Sequence, residues 1–285
     1  MTWALDLDGV VWLAGQPIPG SAEAVADLRD AGERVVFLTN NSGPVVAAHL
    51  KALADVGIPC AAEDITTSAQ AAASMVAPGE RVAMVGDAGV REALDAGGAV
   101  VVEARDHPQS VVVGRTVDLD YSLLADAATA IRRGARFIAA NTDPTFPTGP
   151  GGAGGPGDGL VPGAGALVAF LATASGRRPE VAGKPHEAMA ELVRRRYGRL
   201  AVMAGDRPDT DGLFAGLVGA KFGLVLTGVT TRSDLPVNPV PDLVADDLAS
   251  LVRQYLSGRG PAGQETLARE PARATDDPER GPKNG

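Results

Sequence analysis

Two aspartates, Asp6 and Asp8, stand two residues apart at the end of an apolar run that starts at Trp3. In an extended segment, residues so spaced point to the same side. Two carboxylates on one side repel unless a cation or a shared proton compensates them. Gly9 follows and permits close backbone approach. A pair of solvated loop acids is the plain alternative. A calcium loop of the EF-hand type is excluded, because Val10, Val11 and Trp12 occupy the places where later oxygen ligands belong.

Three other polar groups follow apolar runs. Thr39 ends the run from Arg34 to Leu38 and offers a hydroxyl and a backbone N–H to a phosphate oxygen. Lys184 follows Glu180–Ala182, and its charge suits both a phosphate and a carboxylate. Asp206 follows Leu200–Ala204, with Asp209 and Asp211 behind it, and supplies the hard oxygens that Mg²⁺ prefers. Each alone has an ordinary structural reading: a turn threonine, a surface lysine, helix-capping acids. For Asp209 and Asp211, capping a helix N-terminus is as good a reading as metal contact. The order of the set, each member at a strand end, is what points to phosphoryl chemistry.

The elements that must position these groups are short β-rich runs alternating with longer amphipathic segments. That pattern predicts an α/β fold with a mostly parallel sheet. In such sheets ligands bind outside the carboxyl ends of the strands, so the four strand ends can converge on one site. Between them, candidate strands Val82–Val85, Val100–Val102, Ser110–Val113 and Arg136–Ala139 and candidate helices Ser122–Arg133 and Ala164–Ser175 suggest an inserted domain. The expected division is core 1–79, inserted α/β domain 80–178, core 179–256, and a tail 257–285 whose Gly, Pro and mixed charge predict disorder. Thr148–Gly159, nearly all Gly, Pro and Ala, is expected to be a mobile loop.

The 285 residues carry a formal charge of −9, which argues against a nucleic-acid partner. A single cysteine, Cys60, rules out an intramolecular disulfide. The start lacks the basic segment and cleavage site of a signal peptide. The best apolar run, Leu160–Ala174, is too short to span a bilayer and contains Pro162. The expectation is a cytoplasmic protein without membrane partners.

The chain resembles the haloacid dehalogenase superfamily, specifically its class IIA phosphatases, the branch of NagD, para-nitrophenyl phosphatases and phosphoglycolate phosphatases. The resemblance rests on Leu5-Asp6-Leu7-Asp8-Gly9-Val10, Phe37-Leu38-Thr39-Asn40-Asn41-Ser42, Gly183-Lys184-Pro185 and Gly205-Asp206-Arg207-Pro208-Asp209-Thr210-Asp211. Ala140-Asn141-Thr142-Asp143, Pro162-Gly163-Ala164-Gly165-Ala166 and Leu226-Thr227-Gly228-Val229-Thr230 extend it. It covers about Trp3 to Leu256.

The resemblance implies a Rossmann-like core with a large α/β cap, and a Mg²⁺-dependent phosphomonoesterase acting on a small phosphorylated metabolite through an aspartyl-phosphate. By position, Asp6 is the nucleophile and Asp8 the general acid and base. Thr39, Asn40, Asn41 and Lys184 bind the phosphoryl group or substrate. Asp6, Asp8 (through its main-chain oxygen) and Asp206 hold the metal. It also leaves a homodimer through the cap open. The rival readings are a phosphate-ligand sensor without turnover and a dehalogenase, which needs no acid at Asp8. Asn41 has a turn-stabilising alternative, and Asn141 and Asp143 either meet substrate or steady the junction between domains. His186 reads as a helix-start residue, and His49 and His107 carry no role. Gly212 and Leu213, where the branch has an isoleucine and a helix start, are expected to loosen the helix behind the acids.

Overall fold

The computed structural model describes residues 1–147 and 159–258. The Gly/Pro-rich loop expected at 148–159, all but its last residue, and the tail beyond 258 lie outside the described residues.

Among the described residues, six parallel strands form the first sheet, in the order Leu243–Ala245, Lys221–Val225, Val202–Gly205, Thr2–Leu5, Arg34–Thr39, Ile65–Thr67. Side-chain alternation divides its two faces. Trp3, Leu5, Val35, Phe37, Val202 and Ala204 pack with helices Ser21–Asp30 and Leu248–Ser257. Ala4, Val36, Leu38 and Met203 pack on the other side with helices Glu187–Tyr197 and Leu213–Val218. Burial on both faces explains why these strands read as unbroken apolar runs. Thr2–Leu5 lies in the interior of the sheet, so Asp6 leaves it between the strand that ends in Thr39 and the one that precedes Asp206.

A second, five-stranded parallel sheet has the order Glu180–Val181, Arg136–Ala139, Ser110–Val113, Arg81–Val85, Val100–Val101. One face, with Ala83, Val111, Val113 and Phe137, is covered by helices Tyr121–Arg132 and Ala164–Ser175. The other, with Val82, Val112 and Ile138, joins Ala69, Ala72, Val90 and Leu94 in an apolar cluster that runs on into the first sheet. The α/β class agrees with the sequence reading.

One boundary differs. Glu180 pairs with Ile138 and Val181 with Ala139, so this run is an edge strand of the second sheet and not of the core. A division after residue 178 cuts that sheet. The chain leaves it at Gly183, whose N–H donates to the Ala140 carbonyl at 2.7 Å. A Cβ there would lie 2.6 Å from the same oxygen, so only glycine allows the approach. Lys184 is thus presented from the seam between the two sheets. Gly212 also departs from expectation. Pro208–Gly212 forms a wide helical turn that runs directly into Leu213–Val218, with Gly212 pressed against Phe222 and Pro239.

No helix among the described residues is long and apolar enough to cross a membrane.

Candidate active site

Asp6 follows the Thr2–Leu5 strand, and its N–H donates to Ala204 O at 2.9 Å. Its Oδ1 accepts from Leu7 N at 2.8 Å and lies 3.0 Å from Lys184 Nζ. Lys184 also donates to Asp211 Oδ1 at 2.7 Å and to Leu38 O at 3.1 Å. Three acceptors satisfy the three ammonium protons, which fixes a lysine that is almost wholly buried. Asp211 is fully buried, and its other oxygen accepts from Arg207 N at 3.2 Å. Asp209 instead pairs with the Arg207 side chain at 3.0 Å and is exposed. The two acids read alike in the sequence therefore part ways. Asp211 anchors Lys184, and Asp209 decorates the turn.

Asp206 follows the Val202–Gly205 strand, and its Oδ2 accepts from Val229 N at 2.6 Å. Asp8 turns its carboxylate to the indole of Trp12, whose Nε1 donates to Oδ1 at 3.1 Å. Thr39 is buried, and its Oγ1 accepts from Asn41 N at 3.0 Å, which leaves its hydroxyl proton to give. Asn40 is engaged with the Lys184 main chain at both ends. Its Oδ1 accepts from Lys184 N at 2.9 Å and its Nδ2 donates to Lys184 O at 3.1 Å. Asn41 Oδ1 accepts from Gly43 N at 3.2 Å, a turn-stabilising bond. Asn141 donates to Asn40 O, which also accepts from Ser68 Oγ at 2.6 Å. These amides tie the second sheet to the loop that carries Thr39.

Burial sets the electrostatics. It pushes Asp6 well above the usual carboxylate range; Lys184 opposes the rise, while Asp211, Asp206 and Asp8 add to it. Burial raises Asp8 to about 6, held back by the Trp12 bond and by Lys184. Burial, then the charge of Asp211, raises Asp206 to about 7. For Lys184 burial acts downward, but Asp211 and Asp6 outweigh it, and the ammonium stays charged. One buried cation thus faces a crowd of acids.

That crowding is the chemical argument for a further cation. Oxygens of Asp6, Asp206 and Asp211 lie within 4.8 Å of one another. An all-oxygen, anionic donor set suits Mg²⁺ rather than a softer metal. Because Asp211 spends one oxygen on Lys184 and the other on Arg207 N, Asp6 and Asp206 are the carboxylates available to it.

Two glycines press on Asp206. A Cβ on Gly9, whose φ is +82°, would sit 2.5 Å from Asp206 Cγ, and one on Gly228 would sit 2.0 Å from Oδ2. Gly9→Ala is expected to lower kcat/KM at least about tenfold by displacing Asp206, since an ångström of misplacement is costly. The left-handed backbone adds a stability loss of about 1–3 kcal/mol. Steady-state kinetics and thermal melts check both.

Asp6, Asp8, Asp206 and Lys184 open onto a cleft of about 420 Å³, which Arg115, Asp143 and Phe146, from the segment that holds the second sheet, also line. A family model for haloacid dehalogenase-like hydrolases matches residues 3–99, and a second HAD-hydrolase-like model matches 181–251. D-glycerol 3-phosphate phosphatase of Mycobacterium tuberculosis is 42% identical over 259 residues, covering 87% of this chain and 69% of that protein. The chain belongs to the haloacid dehalogenase-like hydrolases.

Solved structures of these hydrolases agree. The p-nitrophenyl phosphatase from Archaeoglobus fulgidus superposes with a TM-score of 0.79 at 31% identity, over 89% of this chain and 98% of that one. Glycerol phosphate phosphatase from M. tuberculosis, solved in complex with magnesium, gives 0.79 at 39% identity, over 88% and 77%. The second family match begins at residue 181, close to where the chain returns to the core. In the sequence, Arg115 and the Trp12 indole carry no assigned role, and Asp211 stands between two. The spacing of Trp12 from Asp8 was visible; the distant contacts of the other two were not.

Proposed function

We propose that this hydrolase is a Mg²⁺-dependent phosphomonoesterase of small phosphorylated metabolites, with Asp6 as nucleophile and Asp8 as general acid and base. The observation that carries the reading is the Asp6–Lys184–Asp211 arrangement, with Asp8 lining the same cleft. The relatives named for glycerol phosphate and p-nitrophenyl phosphate support it.

Leu7 N and Lys184 both bind Oδ1 of Asp6, so Oδ2 is the oxygen that attacks phosphorus. As that bond forms, the bond from phosphorus to the ester oxygen breaks. The departing oxygen takes its electron pair and the proton of Asp8. Burial suits Asp8 to this step by keeping a protonated fraction near neutral pH. In the second step Asp8, now a carboxylate, takes a proton from water as that water attacks the phosphorus. The bond to Asp6 breaks and the carboxylate is restored. Lys184 and the Thr39 hydroxyl bind the phosphoryl oxygens throughout, and Lys184 offsets their charge. Asp6, Asp206 and the Asp8 carbonyl would hold Mg²⁺, which supplies further charge neutralisation when bound.

The test is phosphate release from p-nitrophenyl phosphate. Treatment with a chelator is expected to lower the rate at least about a hundredfold, since a bound metal contributes several kcal/mol to charge stabilisation. Added Mg²⁺ should restore it. Unchanged turnover in excess chelator would sink the metal assignment.

A further inference from the structure

Trp12 takes no part in the reaction described above, yet it holds a residue that does. It lies in a short antiparallel ribbon, Trp12–Leu13 paired with Gln16–Pro17. Neighbours along a strand point to opposite sides. Leu13 lines the cleft, while Trp12 is only 9% exposed and belongs to the apolar cluster that holds Leu7 and Val10. Its main chain is tied at two points to the loop that follows Asp6. Trp12 N donates to Leu7 O at 3.2 Å, and Gly9 N donates to Trp12 O at 2.7 Å. Ring and backbone are both fixed, so the indole is the rigid partner in its bond to Asp8.

That bond runs from Trp12 Nε1 to Asp8 Oδ1 over 3.1 Å. An aspartate carboxyl turns easily about its last bond, where the energy wells are broad and two-fold. Left to itself, the group presents either oxygen. Among the described residues, Trp12 is the hydrogen-bond partner of this carboxyl. An indole N–H can only donate. It therefore favours the carbonyl-like oxygen of a neutral carboxyl, because the oxygen that carries the proton is the weaker acceptor. Oδ1 is kept as an acceptor, and the acid proton is left to Oδ2.

Resting on the phosphatase reading, we infer that Trp12 is the positioning residue of the general acid, reserving Oδ2 of Asp8 for both proton transfers. In the first step Oδ2 releases its proton to the departing oxygen, which keeps the electron pair of its broken bond to phosphorus. In the second, the same atom takes a proton from the attacking water. Trp12 does not line the cleft, so it acts through Asp8 and not on the substrate.

Phenyl phosphate and p-nitrophenyl phosphate share a ring and a scissile bond but differ in what the leaving group asks of an acid. Nitrophenolate departs unprotonated. A phenolate, whose conjugate acid has a pKa of about 10 like tyrosine, gains from a placed proton. Trp12→Phe keeps a buried aromatic ring and removes the N–H. With Mg²⁺ present, its kcat/KM is expected to fall at least about tenfold further for phenyl phosphate than for p-nitrophenyl phosphate, part of what a positioned acid contributes. An unchanged ratio overturns the proposal. It does so if both rates fall together, as they would if Trp12 only packs the loop, and equally if neither moves. A wild type that cleaves p-nitrophenyl phosphate alone overturns it too, since no acid is then at work. Should Trp12→Phe fail to fold, 3-benzothienylalanine at position 12 decides by the same ratio, because it keeps the shape of tryptophan with sulfur in place of the N–H. Wild-type hydrolysis of neither ester sinks the phosphatase reading. Hydrolysis of both, with the ratio unchanged in the variant, sinks only the role of Trp12.

Discussion

Asp6→Asn is expected to lower kcat/KM at least about ten-thousand-fold, the scale of removing a covalent nucleophile. The amide keeps an oxygen where Leu7 N and Lys184 bind, so the fold is not the casualty. The sign of the electrostatic effect supports this. Burial and neighbouring acids raise the Asp6 carboxyl above its unfolded value. A raised acid stabilises the fold below its unfolded pKa and loses that contribution as pH rises through the folded pKa. Without metal the ionised form is therefore a burden to the fold, and in chelator Asp6→Asn should melt no lower than wild type. Loss of activity without loss of stability identifies a chemical role. A covalent role is shown separately with Asp8→Asn and p-nitrophenyl phosphate. Nitrophenolate leaves without a proton, so the first step proceeds, while the second lacks its base. Labelled phosphate should accumulate on Asp8→Asn and be absent from the Asp6→Asn/Asp8→Asn double variant. Label retained in the double variant would remove Asp6 from the mechanism.

Much of this site was legible because its chemistry sits where apolar strands stop. Asp6, Thr39 and Asp206 each follow a run buried on both faces, and such runs announce both the strand and its polar end. Lys184 was found by the same logic but for an incomplete reason. The run before it belongs to the second sheet, and a run whose pairing spans only two residues holds no signal of which sheet it joins. Asn40 shows a different limit. An Asn beside a phosphate-binding threonine invites a substrate role, yet its carboxamide bonds the Lys184 main chain, 144 residues away, at both ends, and its Nδ2 also donates to Asp143 Oδ1. Arg115 was passed over because nothing local marks it. Its stacking on Phe146 and its place in the cleft arise only when two distant segments fold together. The core of the second sheet is largely Ala, Val and Leu, while the largest fully buried side chains of the first include Trp3 and Phe37.

Asp211 was ambiguous for a physical reason, and it leads to the second large effect. An acid in the first turn of a helix is favourable whatever it touches, so position alone could not separate a cap from a partner of Lys184. The structure puts it 2.7 Å from Nζ with both side chains almost completely buried. Breaking a buried pair by removing one charge costs about 3–5 kcal/mol, mostly because the survivor is stranded. Lys184→Met strands two acids, Asp6 and Asp211, and is expected to reach that cost, about 10 °C in melting temperature. It should also lower kcat/KM at least about a thousandfold, because the transferring oxygens lose a fixed cation. Asp211→Asn leaves Lys184 with Asp6 and Leu38 and should cost less in both readouts. The decisive measurement is the double variant. If the pair is coupled as the geometry requires, Lys184→Met/Asp211→Asn melts above Lys184→Met alone, because one stranded anion is gone. Additive losses would mean that Lys184 is held by Asp6 and the backbone, and that Asp211 is an acid of the turn after all.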